Sequence, residues 1–255
     1  MRPLVTAVFM CVCAWGIAQV RNSDFQKLFD LYAMEEYEKC AWKAENYSRK
    51  DKYRRDPEPY LYMALCFYQA HVHPEKFEEE FKDPLKDALK YAYKFRKKDK
   101  TGEMYEANRY LLDKIRGEAL DRAKFYFNDG DYRKASLEFY RILKVIPDDV
   151  NILFISGVSD ILSRNVTQGE RNVKIALDSL ALYEAENRFE KDPVTHEMLI
   201  KAFVSYTDYL AENNQLEKAM EVIVLGRKLV PDDPKLKAQY KKLYAAAPPD
   251  EEEDS

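Results

Sequence analysis

Glycine is scarce, with seven residues in 255, whereas lysine and arginine number 41 and aspartate and glutamate 45. Glycine punctuates sheets and tight turns, so its shortage in a chain rich in Lys, Glu, Ala and Leu argues against a sandwich or barrel and for long helices joined by short connections. Long apolar runs are missing as well. Past residue 20, no stretch approaches the roughly 18 unbroken apolar residues of a membrane helix. Excess charge is small: the formal net charge is −4, and the run Asp250-Glu251-Glu252-Glu253-Asp254 accounts for it. The rest of the chain is near neutral, which excludes a strongly basic nucleic-acid-binding surface.

Cysteine is rare too. Cys11 and Cys13 fall in the first 20 residues, which leaves Cys40 and Cys66. Two readings stand for that pair: a disulfide in an oxidising compartment, or two small hydrophobes buried in helical patterns. Enzyme signatures are absent: there is no phosphate loop, dinucleotide fingerprint, nucleophile elbow or metalloprotease helix. Abundant acids contain no carboxylate pair that stands out, so the expectation is a non-catalytic protein without catalytic residues, cofactor or metal.

What is present begins with a leader. Met1-Arg2 gives a positive start, Leu4 to Cys13 an apolar stretch, and Gly16-Ile17-Ala18 the small-x-small pattern that signal peptidase accepts. Residues 1–18 therefore read as a signal peptide cleaved after Ala18. A retained anchor is the alternative, but Leu4 to Val20 is about the minimum spanning length and polar chain follows at once from Arg21. A lipobox is disfavoured because Met10 and Val12, before the two cysteines, are not small. The expected location is extracytoplasmic, periplasmic or outer-envelope associated, with no transmembrane segment after signal removal.

The chain also repeats itself. Gly130-Asp131-Tyr132-Arg133-Lys134-Ala135 running to Pro147-Asp148-Asp149 matches Asn214-Gln215-Leu216-Glu217-Lys218-Ala219 running to Pro231-Asp232-Asp233 at an ungapped offset of 84. Tyr37-Glu38-Lys39-Cys40 and Leu85-Lys86-Asp87-Ala88 share the core of that pattern, a large apolar residue three positions before a small one. The small side chain lets a neighbouring helix approach while the large one fills the groove beside it.

Gly130-Asp131-Tyr132, Ala135, Phe139 and Pro147, preceded by Ala123 and Tyr126, resemble the second half of a tetratricopeptide repeat. Leu216, Ala219, Ile223 and Pro231, with Phe203, Tyr206 and Leu210 upstream, look like another copy. Tyr60, Met63, Ala64 and Phe67, completed by Leu85, Ala88, Ala92 and Phe95, look like a third, and Leu153 and Gly157 suit the first helix of a fourth. The resemblance runs from about Phe25 to Tyr244. It departs from the family at Arg122 and Ala44, and the units at 57–99 and 150–193 exceed the usual length of about 34 residues.

The resemblance implies an all-α, right-handed α-solenoid of antiparallel helical hairpins over 19–246, with a C-terminal capping helix and a disordered acidic tail at 247–255. It also implies a protein-protein interaction scaffold or adaptor whose partner is a segment or domain of an envelope complex. Lysine and tyrosine richness together with the leader resembles envelope repeat proteins of the Bacteroidota, some of which belong to secretion or motility machines. A glycan-binding or glycan-processing helical protein is the alternative, and a eukaryotic secretory-pathway co-chaperone a third. In the family, ligands lie along first helices, which here implies Asn108, Tyr126, Asn151, Ser159 and Tyr209.

Periodicity and stop signals place helices near Asp24–Met34, Glu36–Lys50, Glu58–Gln69, Leu85–Lys98, Glu103–Asn128, Tyr132–Val145, Val150–Ser163, Gly169–Arg188, Val194–Glu212, Leu216–Val230 and Pro234–Tyr244. Asp149 and Asp233 are placed to cap the helices that follow them, with Pro234 in a first turn. Ala70 to Asp83 is an insertion whose Phe77 and Phe81, at i, i+4 spacing, form either a partner-contacting lip or a loop folded onto its own hairpin. Lys86, Lys90 and Lys94, with Lys97 and Lys98, follow one helical face; they are a solvated face or a ridge for an acidic partner or anionic surface. His71 and His73 lack a third spaced metal ligand, and Asn128-Asp129-Gly130-Asp131 lacks calcium-loop geometry. Both read as turns.

Overall fold

A computed structural model of the chain describes residues 23–78 and 81–246. The signal peptide assigned to 1–18 and the acidic tail assigned to 247–255 lie outside the described residues. Among those described there are twelve α-helices and no strand. They are α1 (Gln26–Ala33), α2 (Tyr37–Arg49), α3 (Glu58–Val72), α4 (Pro84–Lys98), α5 (Glu103–Ala107), α6 (Arg109–Asp129), α7 (Tyr132–Val145), α8 (Val150–Leu162), α9 (Val166–Ala185), α10 (His196–Glu212), α11 (Leu216–Leu229) and α12 (Pro234–Ala246). No described helix is long and apolar enough to cross a membrane. The chain divides into two compact units, Met1–Lys114 and Ile115–Ser255, each with its own core.

In the first unit α3 is central. It packs against α1, α2 and α4, and Leu61, Tyr62, Leu65 and Cys66 are all sealed from solvent. A helix apolar on every side belongs inside, which is what its composition requires. α2 and α4 are amphipathic and offer it one stripe each: Tyr37, Cys40 and Ala44 from α2, Leu85, Ala88, Ala92 and Phe95 from α4. Cys40 and Cys66 are free, buried thiols. The Cys40 Sγ–H donates to the Leu28 carbonyl at 3.4 Å. Burial first, and then the hydrogen bond with Cys40, push the Cys66 thiol well up.

In the second unit α8 takes the central role, packed against α7, α9 and α10. α10 in turn packs against α11 and α12, and α9 meets α11. The expected caps are in place: Asp149 Oδ1 accepts the Ile152 N–H, and Asp233 Oδ1 accepts the N–H groups of Lys235 and Leu236. An ion network ties the segment ahead of α10 to α6 and α8. Arg116 Nη2 donates to Asp149 Oδ2 at 2.7 Å and to Asp192 Oδ2 at 3.2 Å.

Four hairpins turn in the same way. Glu35, Gly130, Arg164 and Asn214 have positive φ of 59°, 83°, 72° and 58°, and each lies two residues ahead of α2, α7, α9 and α11 respectively. At Glu35, Arg164 and Asn214 the left-handed residue's N–H bonds back to the carbonyl three residues earlier, and the next N–H to the carbonyl five residues before it. This is a Schellman closure, which satisfies the last carbonyls of the first helix. Five residues after each left-handed position stands a small buried one, Cys40, Ala135, Gly169 or Ala219. Nine residues after it stands Ala44, Phe139, Val173 or Ile223, each at most 1% exposed.

Three expectations about helix ends need correction. α3 runs on to Val72, past the expected stop at Gln69, so His71 is helical and the insertion starts later than Ala70. α9 begins at Val166, three residues before Gly169, because Gly169 is not a helix start: it is the small residue of the shared register. The helix expected to run unbroken over Glu103–Asn128 is interrupted at Asn108. The Asn108 backbone sits at φ −114°, ψ 12°, and its side-chain amide donates to the Met104 carbonyl, competing with the helix ladder.

Candidate partner-binding cleft

α2 turns its Tyr37, Cys40 and Ala44 stripe inward, which leaves Trp42 on the outer side, 69% exposed. Trp42 lines a cleft of about 590 Å3 within the first unit. Its apolar lining comes from Leu31 of α1, Ala41 of α2, Met63 and Phe67 of α3, Tyr91 of α4 and Phe81. Charged residues of both signs complete it: Lys27, Lys39 and Lys43, with Glu38, Glu45 and Glu78.

Aromatic contacts fix the walls. The Phe67 ring stacks on Tyr91 at 5.4 Å between centroids and meets Phe81 edge-on at 5.2 Å. Lys90 and Lys94 hold their ammonium groups 4.8 and 4.9 Å from the Tyr91 centroid. Burial pushes the Tyr91 hydroxyl up, against the pull of the Lys90 ammonium. Of the rim carboxylates, Glu38 accepts the Glu78 backbone N–H and Glu45 accepts from Arg49.

The insertion reaches both its own hairpin, where Phe81 meets Phe67 of α3, and the preceding one, where Phe77, Lys76 and the Glu78 N–H contact Tyr37, Glu35 and Glu38. Pro74–Lys76 forms one 3-10 turn and Phe77 then adopts an extended backbone. Phe77 stacks on Tyr37 at 6.2 Å and touches Phe81 edge-on at 5.8 Å. Lys76 pairs with Glu35 at the left-handed turn.

Two comparable clefts lie within the second unit. One, of about 570 Å3, runs between α9 and α11 over Tyr206 of α10; another, of about 420 Å3, runs between α7 and α9 over Leu153, Ser156 and Asp160 of α8. All three occupy the same place in the hairpin scheme, between successive second helices and above the intervening first helix.

The first-helix residues implied by the family resemblance fall elsewhere. Asn108 is 2% exposed and Ser159 fully buried, its hydroxyl donating to the Ile155 carbonyl, so both are packing residues and neither reaches solvent. Tyr126 is half-buried beneath Lys134, Tyr209 stacks on Tyr206, and Asn151 is half-buried in the first turn of α8. None of these five lines any of the three clefts. Phe81 does, and Phe77, Lys90 and Lys94 buttress the aromatic wall beside it. Lys86 is exposed in the first turn of α4. Trp42 escaped the sequence reading, although a lone tryptophan off the buried stripe of an amphipathic helix was a usable sign.

Comparison of the chain with family models, with curated proteins and with solved structures gives no match.

Proposed function

We propose that the chain is a non-catalytic scaffold of the tetratricopeptide-repeat kind. It is an array of antiparallel helical hairpins, exported by its leader to an extracytoplasmic space, that holds a segment of a partner protein. The recurring left-handed turn, with small residues five positions later, supports the repeat reading. Repeated hairpins present extended surface at modest entropic cost because each contacts only its neighbours.

The observation that carries the binding assignment is Trp42, held 69% exposed on a cleft that Met63 and Phe67 also line. A large aromatic ring stranded in water beside an apolar trough, ringed by charge, has the composition of an interface anchor. Because Glu38 and Glu45 are engaged within the protein, the cleft is better suited to contact than to acid-base work.

The test is paired affinity capture from native-host extract with the wild-type chain and with Trp42→Ala, whose exposed site leaves the fold intact. The expected result is one stoichiometric envelope protein retained by the wild type and depleted at least tenfold with the variant. Equal capture by both would refute the cleft as the binding site.

A further inference from the structure

A second surface of the first unit has an electrostatic imbalance that the cleft does not absorb. Lys98 Nζ donates to the Arg54 carbonyl at 2.6 Å, drawing the last turn of α4 against the 50–57 connection between α2 and α3. That contact gathers Arg54, Arg55, Lys94, Lys97 and Lys98. Arg54 has one weak partner, the almost fully exposed Asp51 at 3.9 Å. Among the described residues no carboxylate pairs with Arg55, Lys94, Lys97 or Lys98, although ion pairs are frequent elsewhere in this unit. Lys98 registers the crowding: burial first, then Arg54, Lys94, Lys97 and Arg55, hold its ammonium below the usual lysine range.

The carbonyl end of α4 favours the cations on its own last turn, but it does not account for two arginines brought in from another element. We infer that this patch is a docking surface for a carboxylate-rich polypeptide segment. The charges are spread, not convergent. Lys94 and Lys98 stand one helical turn apart, roughly 6 Å along the axis, with the arginines on a separate segment. Such a layout suits a chain carrying successive acids, at about 3.3 Å per extended residue, better than a single phosphate. The exposed large apolar side chains of this unit, Met34, Trp42 and Tyr110, lie outside α4 and the 50–57 connection, so the two segments of the patch offer charge without an apolar face to enter a bilayer. Arginine forks supply bidentate carboxylate recognition, and lysines add point charge.

The inference does not rest on the Trp42 cleft; the two surfaces share Lys94, which also stands over the Tyr91 ring, so the test alters Arg55 and Lys97 alone. Its probe is a synthetic peptide of the chain's own acidic run, Pro248 to Ser255, titrated by fluorescence anisotropy. The receptor is the full-length chain with that run neutralised (D250N, E251Q, E252Q, E253Q, D254N), so that it does not compete. Binding is expected to weaken at least tenfold in the R55E/K97E variant of the same chain, with helical circular dichroism unchanged. It should also weaken at least fivefold between about 50 and 200 mM salt, as screening of an exposed patch requires. Absence of binding at low salt, or equal binding by the charge-reversed variant, would overturn the assignment. So would retention of the chain on phosphatidylglycerol vesicles with no affinity for the peptide.

Discussion

Gly157 and Gly169 lie back to back where α8 crosses α9: a Cβ built on Gly169 would stand 2.6 Å from the Gly157 carbonyl oxygen. A Cβ on Gly157 would meet the Val173 amide nitrogen at 2.9 Å. Both obstacles are backbone, so neither can swing aside. The core of the second unit depends on this approach: Val158 and Ile161 of α8 and Val173 and Ala176 of α9 are all buried, and α8 and α9 pack directly on each other.

Gly169→Ala and Gly157→Ala should therefore each lower stability by about 2–3 kcal/mol through forced separation of the two helices. Gly117, inside α6 with nothing within 4 Å of its virtual Cβ, is the control. Gly117→Ala should be neutral or stabilising by up to about 1 kcal/mol from helix propensity. Urea denaturation of the three variants checks the contrast, and a loss at position 117 equal to that at 169 would contradict it.

The shared left-handed turn makes an opposite pair of predictions. Arg164 is exposed and holds φ at 72°, so Arg164→Gly should stabilise by about 1 kcal/mol by removing the Cβ penalty of that conformation. Gly130 holds φ at 83° with open space around it, so Gly130→Ala should destabilise by about 1 kcal/mol on backbone grounds alone. Thermal unfolding of both variants reads the two signs.

Of the aspartates that cap helices, Asp149 and Asp233 are not equivalent. Asp233 only caps α12, and Asp233→Ala should cost about 1 kcal/mol. Asp149 caps α8 and also receives Arg116, so Asp149→Ala should cost about 2–3 kcal/mol by stripping a partner from a guanidinium only 20% exposed. Equal losses would show that the Arg116 network contributes nothing.

Burial pushes the Asp192 carboxyl up, but the Val194 N–H, the Thr195 hydroxyl and Arg116 outweigh it and hold the group below the usual carboxylate range. A depressed folded value means that its contribution is present above the unfolded carboxylate value, about 3.9, and fades as pH falls through the lower folded value. Asp192→Asn should be less stable than the wild type by about 1–2 kcal/mol at pH 7. That gap should shrink below about pH 4. A gap that is constant from pH 7 to pH 3 would rule out ionisation as its source.

Most helix positions were legible because each stripe obeys the 3.6-residue period and each stop carries its chemistry: α7 runs over Tyr132–Val145 as the sequence indicates. The failures share a cause. Asn108 breaks a helix through a side-chain bond that leaves the periodic pattern intact, and Gly169 looks like a helix start because glycine more often ends or begins an element than packs inside one. The repeat was visible at 130 and 214, where turn, small residue and Pro-Asp-Asp all coincide. The matching turn at Arg164 was hidden, since arginine at positive φ has no sequence signature. The proposed binding surface was the least legible part. Burial of Asn108 and Ser159 depends on how neighbouring helices approach, and the apolar character of the cleft beside Trp42 comes from Met63, Phe67, Phe81 and Tyr91, which three separate segments bring together.

The most direct test is site-specific photocrosslinking in the native host, with a benzoylphenylalanine at Lys39, an exposed cleft residue that leaves Trp42 in place, and, as a control, at Tyr244, which is 65% exposed on α12. One dominant protein adduct is expected from position 39 and none from position 244. Adducts of equal yield from both positions, or none from position 39 in cells where the chain is abundant, would contradict the assignment.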